Sequence, residues 1–523
     1  MANNFKITYS ALNADMTQIH REFDETLKNL KQELGRTIPS IVNGKAIKTE
    51  RVNKKFSPVN TSLLIANYLV ASEADLNEAF VAAKKAQKSW AATPWTERVA
   101  LTRKAAGIMR ERRMRIAALM TLEVGKNRME SLGDAEEAAD LLDYYAHQME
   151  QANGFDQPLG KLSPNENTRD VLRPYGVFAV IAPFNFPMAL GAGMTSAALL
   201  GGNAVILKPS DDAPGTAWEI YLAYRDAGLP EGLLQVVFGN GPALGEWMVK
   251  HPHCDGVAFT GSKTVGMSIM RSLVSGAYAK PALVELGGKN AAFVCETADL
   301  DQAANGCVRS AFGLSGQKCS ALSRLYVHEK IHPAFIDKLL SAAKNLVTVG
   351  NPENADIYMG PVINSRAVDR HLQAIAEARA IGKILMGGTD LREKPEFKNG
   401  HFADPTIVEL PSTSRHFKDE FFSPFLAVTR FTSLEEAITD ANKADYGLTS
   451  GIFTGKREEI EWFMDHIEAG VLYANRATGA TTGAWPGVQS FCGWKGSGGS
   501  GKGGCGPYYV SQFMREQSRT IME

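Results

Sequence analysis

Cysteine is scarce in this sequence: six among 523 residues, at positions 254, 295, 307, 319, 492 and 505. None forms a C-x-x-C pair and none lies near a histidine cluster at zinc spacing, so neither a disulfide framework nor a thiolate metal site is expected. A reducing compartment suits such a chain. An excess of either charge is also missing. Lysine plus arginine (56) balances aspartate plus glutamate (57), so no global field draws nucleic acid or an anionic membrane. No apolar run reaches the length of a membrane span. The first residues, MANNFKITYS, lead into charged, helix-like sequence through Lys28, Lys31 and Arg36. A basic segment followed by an apolar one is absent there, so no secretory signal is expected and the location is read as cytoplasmic. Repeats of solenoid length and long low-complexity tracts are lacking too. Residues 493–506, rich in glycine, are the one compositional break.

What is present is ordinary for a globular protein of two or three domains: 44% hydrophobic and 22% charged residues. Residues from about 71 to 150 read as helical. Ser72 and Asp75 form a capping box, Thr93 before Pro94 reads as a cap and first helical residue, and Leu101, Ala105, Ile108 and Met109 have helical spacing. From Val177 short apolar runs (VFAVIAP, NAVILKP, LLQVVFG, GVAFTGS) alternate with helical segments. That alternation predicts a parallel, doubly wound sheet, which binds ligands beyond the carboxyl ends of its strands. A second α/β region follows. AAFVCE reads as a strand, and Asp299 caps a helix whose apolar stripe includes Leu300, Ala303, Ala304, Cys307, Val308 and Ala311. The helix breaks at Gly313 and Gly316 in GLSGQKCS, which delivers Cys319 on a turn.

Three side chains there can carry chemistry. Cys319 is a candidate nucleophile, although a free cysteine is more often a small buried hydrophobe. Glu285 ends the strand-like run PALVEL; burial would raise its pKa and suit a general base, whereas a solvated strand-end glutamate is the plainer reading. Asn185, fenced by Pro183 and Pro187, can donate to a developing oxyanion or can be an ordinary turn residue. Three segments at successive strand ends, two of them glycine turns, can meet a cofactor. FTGSKTVG (259–266) offers backbone N–H groups to a pyrophosphate, GNGPALG (239–245) is another such turn, and Lys208 and Asp211 lie where an adenosine ribose would meet the sheet.

Taken together in order and spacing, PFNFP, LKPSDDAP, FTGSKTVG, ELGGKN, FGLSGQKCS and DEFFSP resemble the aldehyde dehydrogenase superfamily, from roughly Phe56 onward. The resemblance implies an α/β fold with a Rossmann-like cofactor domain, an α/β catalytic domain and a small β-flap for oligomerisation. It implies that Cys319 attacks an aldehyde, that Asn185 and the Cys319 N–H hold the oxyanion, and that Glu285 activates water to hydrolyse a thioester. Pro183, Phe184, Lys208, Asp211, Gly241, Thr260, Gly261, Ser262, Val265, Gly266, Glu420 and Phe422 would bind the dinucleotide. Asp211 would repel a 2′-phosphate, so NAD is expected, with NADP left open. SGQKCSALSR, the loop NRATGATTG (475–483), the terminal GKGGCGPYY and Met194 resemble, within that superfamily, the 1-pyrroline-5-carboxylate dehydrogenases. On that likeness Ser320, Gly479 and Ala480 would bind the substrate's carboxylate and amine end, between Phe186 and Phe491. No metal is expected.

Two motifs depart from the superfamily pattern: EIFGP reads EFFSP (420–424), and PFGG reads SFCG (490–493). The implied division is an N-terminal helical arm (1–40), a cofactor domain (41–156 and 175–284), a catalytic domain (285–490), and a flap and tail (157–174 and 491–523). The flap implies a homodimer or larger even assembly. Other readings stay open: a dehydrogenase of another semialdehyde such as succinic semialdehyde, with Arg476 as its carboxylate partner; a coenzyme-A-acylating enzyme, which would lack Glu285; and an inactive NAD-binding scaffold.

Overall fold

The apolar runs after residue 176 become strands because helices cover both faces of the sheet they build, leaving no polar side to alternate with. In the computed structural model, which describes residues 16–479 and 484–523, this first sheet has seven strands. Their order is Ala282–Glu285, Gly256–Thr260, Val177–Ile181, Ala204–Lys208, Leu234–Val236, Ile41–Val42 and Lys45–Ala46. The first five are parallel, and the last two close the edge antiparallel. Helices Glu73–Ala92 and Pro187–Leu200 both pack on the central Ala204–Lys208 strand. Thr260 pairs with Glu285, Phe259 with Ile181, and Ile181 with Lys208. The chain therefore leaves four strands along one carboxyl edge, at the positions that carry the candidate residues.

The second seven-stranded sheet runs Lys383–Met386, Thr406–Glu409, Phe425–Phe431, Leu322–His328, Asn290–Val294, Thr449–Phe453 and Val471–Ala474, parallel except for its first pair. Helix Leu300–Phe312 starts at Asp299, whose side chain accepts the Gln302 N–H, and buries Ala303, Ala304, Cys307 and Val308. The turn after it is tighter than two glycines suggest. Leu314 (φ 49°), Ser315 (φ 55°) and Gly316 (φ 68°) are all left-handed, a region that costs ordinary residues free energy unless neighbours hold them. Here Ser315 Oγ donates to the Gly360 carbonyl at 2.8 Å and Gln317 Oε1 accepts the Ile363 N–H at 2.9 Å.

Between the edge strand Lys45–Ala46 and strand Val177–Ile181 lie four helices: Glu73–Ala92, Trp95–Glu111, Arg113–Val124 and Arg128–Gln151. The Ser72–Asp75 capping box is present. Thr93 does not open the following helix. Its N–H bonds to the Ser89 and Trp90 carbonyls and its hydroxyl donates to Ser89 O, so it closes the helix before, and Pro94 is the flanking residue of Trp95–Glu111. Helix Thr17–Lys31 docks through Phe23, Leu27 and Leu30 onto Leu119, Leu122 and Leu132. Strands Thr37–Ile38, Leu64–Leu69 and Val52–Phe56 make a small separate sheet. Strand Glu166–Pro174 lies between Asp156–Pro158 and Met514–Met522, pairing with the latter along its whole length. The glycine-rich stretch is no free linker. The Leu286 N–H donates to Ser497 O, and the Gly499 N–H donates to Val284 O, which extends the first sheet beside Glu285.

Candidate active site

Cys319 follows the left-handed turn and lines a chamber of about 780 Å³, open mouth included. Burial pushes its thiol well above the usual range, and the Glu285 and Glu420 carboxylates push it further. Its own N–H and that of Ser320 act in the opposite direction. The resting group is therefore a thiol that must lose its proton to attack.

Glu285 lines the same chamber. Burial raises its carboxyl from 4.5 to about 7, opposed by the Gly504 N–H, which donates to Oε1 at 2.9 Å. Glu285 is half-buried, at the chamber wall. Gly504 arrives from the glycine-rich tail, which packs too closely for side chains: a Cβ on Gly503 would lie 1.7 Å from the Phe491 carbonyl oxygen.

Asn185 is buried on the loop between strand Val177–Ile181 and helix Pro187–Leu200. Its backbone carbonyl accepts from Lys126 Nζ at 2.9 Å. Its side-chain amide makes no hydrogen bond among the described residues, and Asn185 is not among the residues lining the chamber. Its neighbour Phe186 is, with the Lys318 ammonium 5.7 Å from the ring centroid, so the Asn185 loop and the Cys319 loop meet at Phe186.

The expected cofactor residues gather along the carboxyl edge of the first sheet. Ser262 caps helix Lys263–Val274, its Oγ accepting the Val265 N–H, while Val265 itself is exposed. Gly261 and Gly266 have no room for a Cβ, which would meet Phe259 at 2.4 Å and Leu286 at 2.2 Å. Lys208 is buried and donates to the Pro209 carbonyl. Asp211 accepts from the Gly241 N–H at 2.9 Å and stands 3.4 Å from Lys208 Nζ. Pro183 and Phe184 are half-buried, with Phe184 edge-on to Phe422 at 5.8 Å between centroids. Glu420 Oε1 accepts the Gly288 N–H at 2.9 Å, and burial raises its carboxyl to about 7. A Cβ on Gly287 would lie 2.0 Å from that carboxylate, so the ELGG turn and Glu420 require each other. A helix N-terminus at Ser262 and, along the same sheet edge, a buried lysine with a half-exposed aspartate at Gly241 fit a dinucleotide.

Among the expected substrate residues, Phe186, Ser320 and Phe491 line the chamber. Gly479 is buried but is not a lining residue, and Ala480 lies outside the described residues. Thr260, expected on the cofactor side, borders the chamber as well and donates to Met194 Sδ at 3.8 Å. Arg476 is not among the lining residues: its guanidinium stands 4.6 Å from the Tyr473 ring centroid and Nε donates to Thr478 Oγ1. Sequence reasoning missed Glu137, Tyr145, Lys318, Cys505 and Tyr509, all in the chamber wall. Lys318 pairs with Glu130 at 2.6 Å, and Tyr145 Oη accepts the Cys505 N–H at 3.2 Å. The position of Lys318 next to the nucleophile in GQKC and of Tyr509 in the terminal GKGGCGPYY could have found two of them; nothing local marks Glu137.

Both departures have local partners. Ser423 Oγ lies 3.1 Å from Nδ1 of His371, a buried imidazole whose Nε2 meets Asp404 O at 2.8 Å. Cys492 donates to the Gly470 carbonyl at 3.2 Å, while Phe491 keeps its place in the wall.

Comparison with known proteins gives a consistent answer. Residues 18–518 match the Aldehyde dehydrogenase family, so the match begins well before Phe56. The chain is 37% identical over 503 residues to 1-pyrroline-5-carboxylate dehydrogenase of Staphylococcus aureus (strain MW2), covering 95% of each chain. A solved 1-pyrroline-5-carboxylate dehydrogenase from Thermus with bound NAD superposes with a TM-score of 0.92 at 33% identity, covering 100% of both chains. Proline utilization A from Bdellovibrio bacteriovorus superposes with a TM-score of 0.91 at 36% identity over 96% of this chain, which spans only 52% of that longer protein.

Proposed function

The chain belongs to the aldehyde dehydrogenase family, and from that premise we propose that it oxidises L-glutamate γ-semialdehyde, the open form of 1-pyrroline-5-carboxylate, to L-glutamate with NAD. The observation that carries the reading is one chamber holding both Cys319 and Glu285, walled by Phe186 and Phe491 and carrying an acid, Glu137, and a base, Lys318. Those charges suit a substrate with both an ammonium and a carboxylate. The names of the Staphylococcus and Thermus relatives support the same substrate.

In this mechanism Glu285, ionised above pH 7, takes the Cys319 proton as Sγ bonds to the aldehyde carbon. The carbonyl oxygen becomes an oxyanion facing the Asn185 amide and the Cys319 N–H, each donor contributing about 3 kcal/mol. NAD, when bound, supplies the hydride acceptor. Pro183, Phe184, Lys208, Asp211, Gly241, Thr260, Gly261, Ser262, Val265, Gly266, Glu420 and Phe422 hold the dinucleotide. The carbon is then a thioester on Cys319. Glu285 gives the Cys319 proton up to solvent and, ionised again, takes a proton from water; the water oxygen bonds to the thioester carbon, and the C–S bond breaks to release glutamate and the Cys319 thiolate, which recovers a proton from Glu285. Ser320, Gly479 and Ala480 hold the substrate's α-carboxylate and Glu137 its ammonium.

We divide the chain as the sequence suggests, with the cofactor unit ending at 284, the catalytic unit over 285–490, and the flap and tail at 157–174 and 491–523. Residues 515–522 of the tail strand are exposed, which supports a homodimer or larger even assembly through this sheet. No described helix is long and apolar enough to cross a membrane; a cytoplasmic protein is the location we assign. Succinic semialdehyde fits less well because Arg476 is not among the described residues that line the chamber. The ionisable Glu285 argues against coenzyme-A acylation. Turnover of equilibrated 1-pyrroline-5-carboxylate, succinic semialdehyde and propanal tests the reading. The first should have the highest kcat/KM, about tenfold or more above the others; faster turnover of succinic semialdehyde would overturn the substrate.

A further inference from the structure

Helix Pro187–Leu200 begins two residues after Asn185, and it begins without a local cap: Phe186 has no side-chain oxygen and Pro187 takes the first helical position. The missing acceptor comes from another helix. Ala189 N–H donates at 2.8 Å to Asp134 Oδ1, on Arg128–Gln151. The other oxygen of Asp134 accepts from Lys126 Nζ at 2.8 Å. The same ammonium donates to the Asn185 carbonyl at 2.9 Å and stands 4.0 Å from the Phe186 ring centroid. One buried pair thus grips residues 185, 186 and 189 at once. Neither side chain exposes any area to solvent, and neither lines the chamber. Burying such a pair is a poor source of stability, since an apolar pair of equal volume serves as well or better. The pair's distinguishing product is a fixed backbone at Asn185.

We propose that Lys126 and Asp134 are positioning residues for the oxyanion step, acting through the backbone of Asn185 to hold its side-chain amide where charge develops. This rests on the reading of Asn185 as an oxyanion donor. Displacing a donor by about 1 Å costs on the order of a hundredfold in rate, so the effect belongs in the rate at which the Cys319 adduct forms and goes on to NADH rather than in binding.

The test is a double-mutant comparison on the full-length protein, read by single-turnover NADH formation. Lys126→Met and Asp134→Asn are each made in the wild type and in Asn185→Ala. In the wild-type background each should slow the step about 10- to 100-fold, leaving the substrate KM and NAD binding within about threefold. In the Asn185→Ala background neither should add more than about threefold, because the group they position is gone. Equal losses in both backgrounds, losses confined to KM, or no loss would overturn the proposal. Should Lys126→Met fail to fold, Asp134→Asn carries the same comparison, since its amide oxygen still accepts the Ala189 N–H. If Asn185→Ala itself costs less than about tenfold, the oxyanion reading fails first, and that failure is visible in the single variant alone.

Discussion

Glu285 offers a prediction that joins catalysis to stability. Burial lifts its carboxyl from 4.5 to about 7, and in the proposed mechanism only the ionised form can take a proton from water. Below pH 7 the rate should therefore fall about tenfold per pH unit, so that at pH 6 roughly a tenth of the limiting rate remains. Replacing the carboxyl with an amide, Glu285→Gln, keeps an acceptor for the Gly504 N–H but removes the base. Hydrolysis should drop by about 10²–10⁴-fold, and a thioester should accumulate on Cys319. The folding consequence has the opposite sign. The unfolded chain ionises this carboxyl near 4.5 and the folded chain near 7, so the native state binds the proton more tightly. The cost is absent below pH 4.5, grows between 4.5 and 7, and is complete above 7, where it reaches about 3 kcal/mol. Glu285→Gln should match the wild type in urea near pH 4.5 and be more stable by about that amount at pH 8. A rate profile flat from pH 8 down to 5.5, or a variant no more stable at pH 8 than at pH 4.5, would refute the reasoning.

Ser423→Ala should leave buried His371 short of a partner and cost about 1–3 kcal/mol in urea unfolding; no change in midpoint would show that the hydroxyl is idle. Deleting residues 515–523 strips strand Glu166–Pro174 of its partner. Light scattering should then show a smaller species or aggregates, and an unchanged mass would put the subunit interface elsewhere. Because Asp211 is held by the Gly241 N–H, Asp211→Ser should weaken NAD and relieve repulsion of a 2′-phosphate. The NADP-to-NAD ratio of kcat/KM should rise about tenfold or more; an unchanged ratio would remove Asp211 from cofactor selection.

Local pattern carried the parallel strands of the first sheet, the start of the second, and the placement of Cys319 and Glu285, because a strand buried on both faces and a glycine break after an apolar helix both write themselves into adjacent residues. What stayed hidden depends on distant chain. Gly504 reaches Glu285 from 219 positions away. Glu137 and Tyr145 sit on a long helix whose sequence does not say which turn faces a cavity. Ser423 looked like a defect in a motif until His371 stood beside it. Leu314 and Ser315 show the same limit: a left-handed conformation in ordinary residues is imposed by neighbours such as Gly360 and is not signalled by residue type. Thr93 closes a helix where its sequence suggests it opens one for a related reason, since Thr-Pro can end one helix as readily as begin the next.

The most direct test of the central claim is NADH formation from equilibrated 1-pyrroline-5-carboxylate by the wild type and by Cys319→Ala, with NAD binding measured on both. The account predicts turnover in the wild type and none in the variant, with NAD still bound. Residual turnover in Cys319→Ala, or a wild type inert toward every aldehyde, would contradict it.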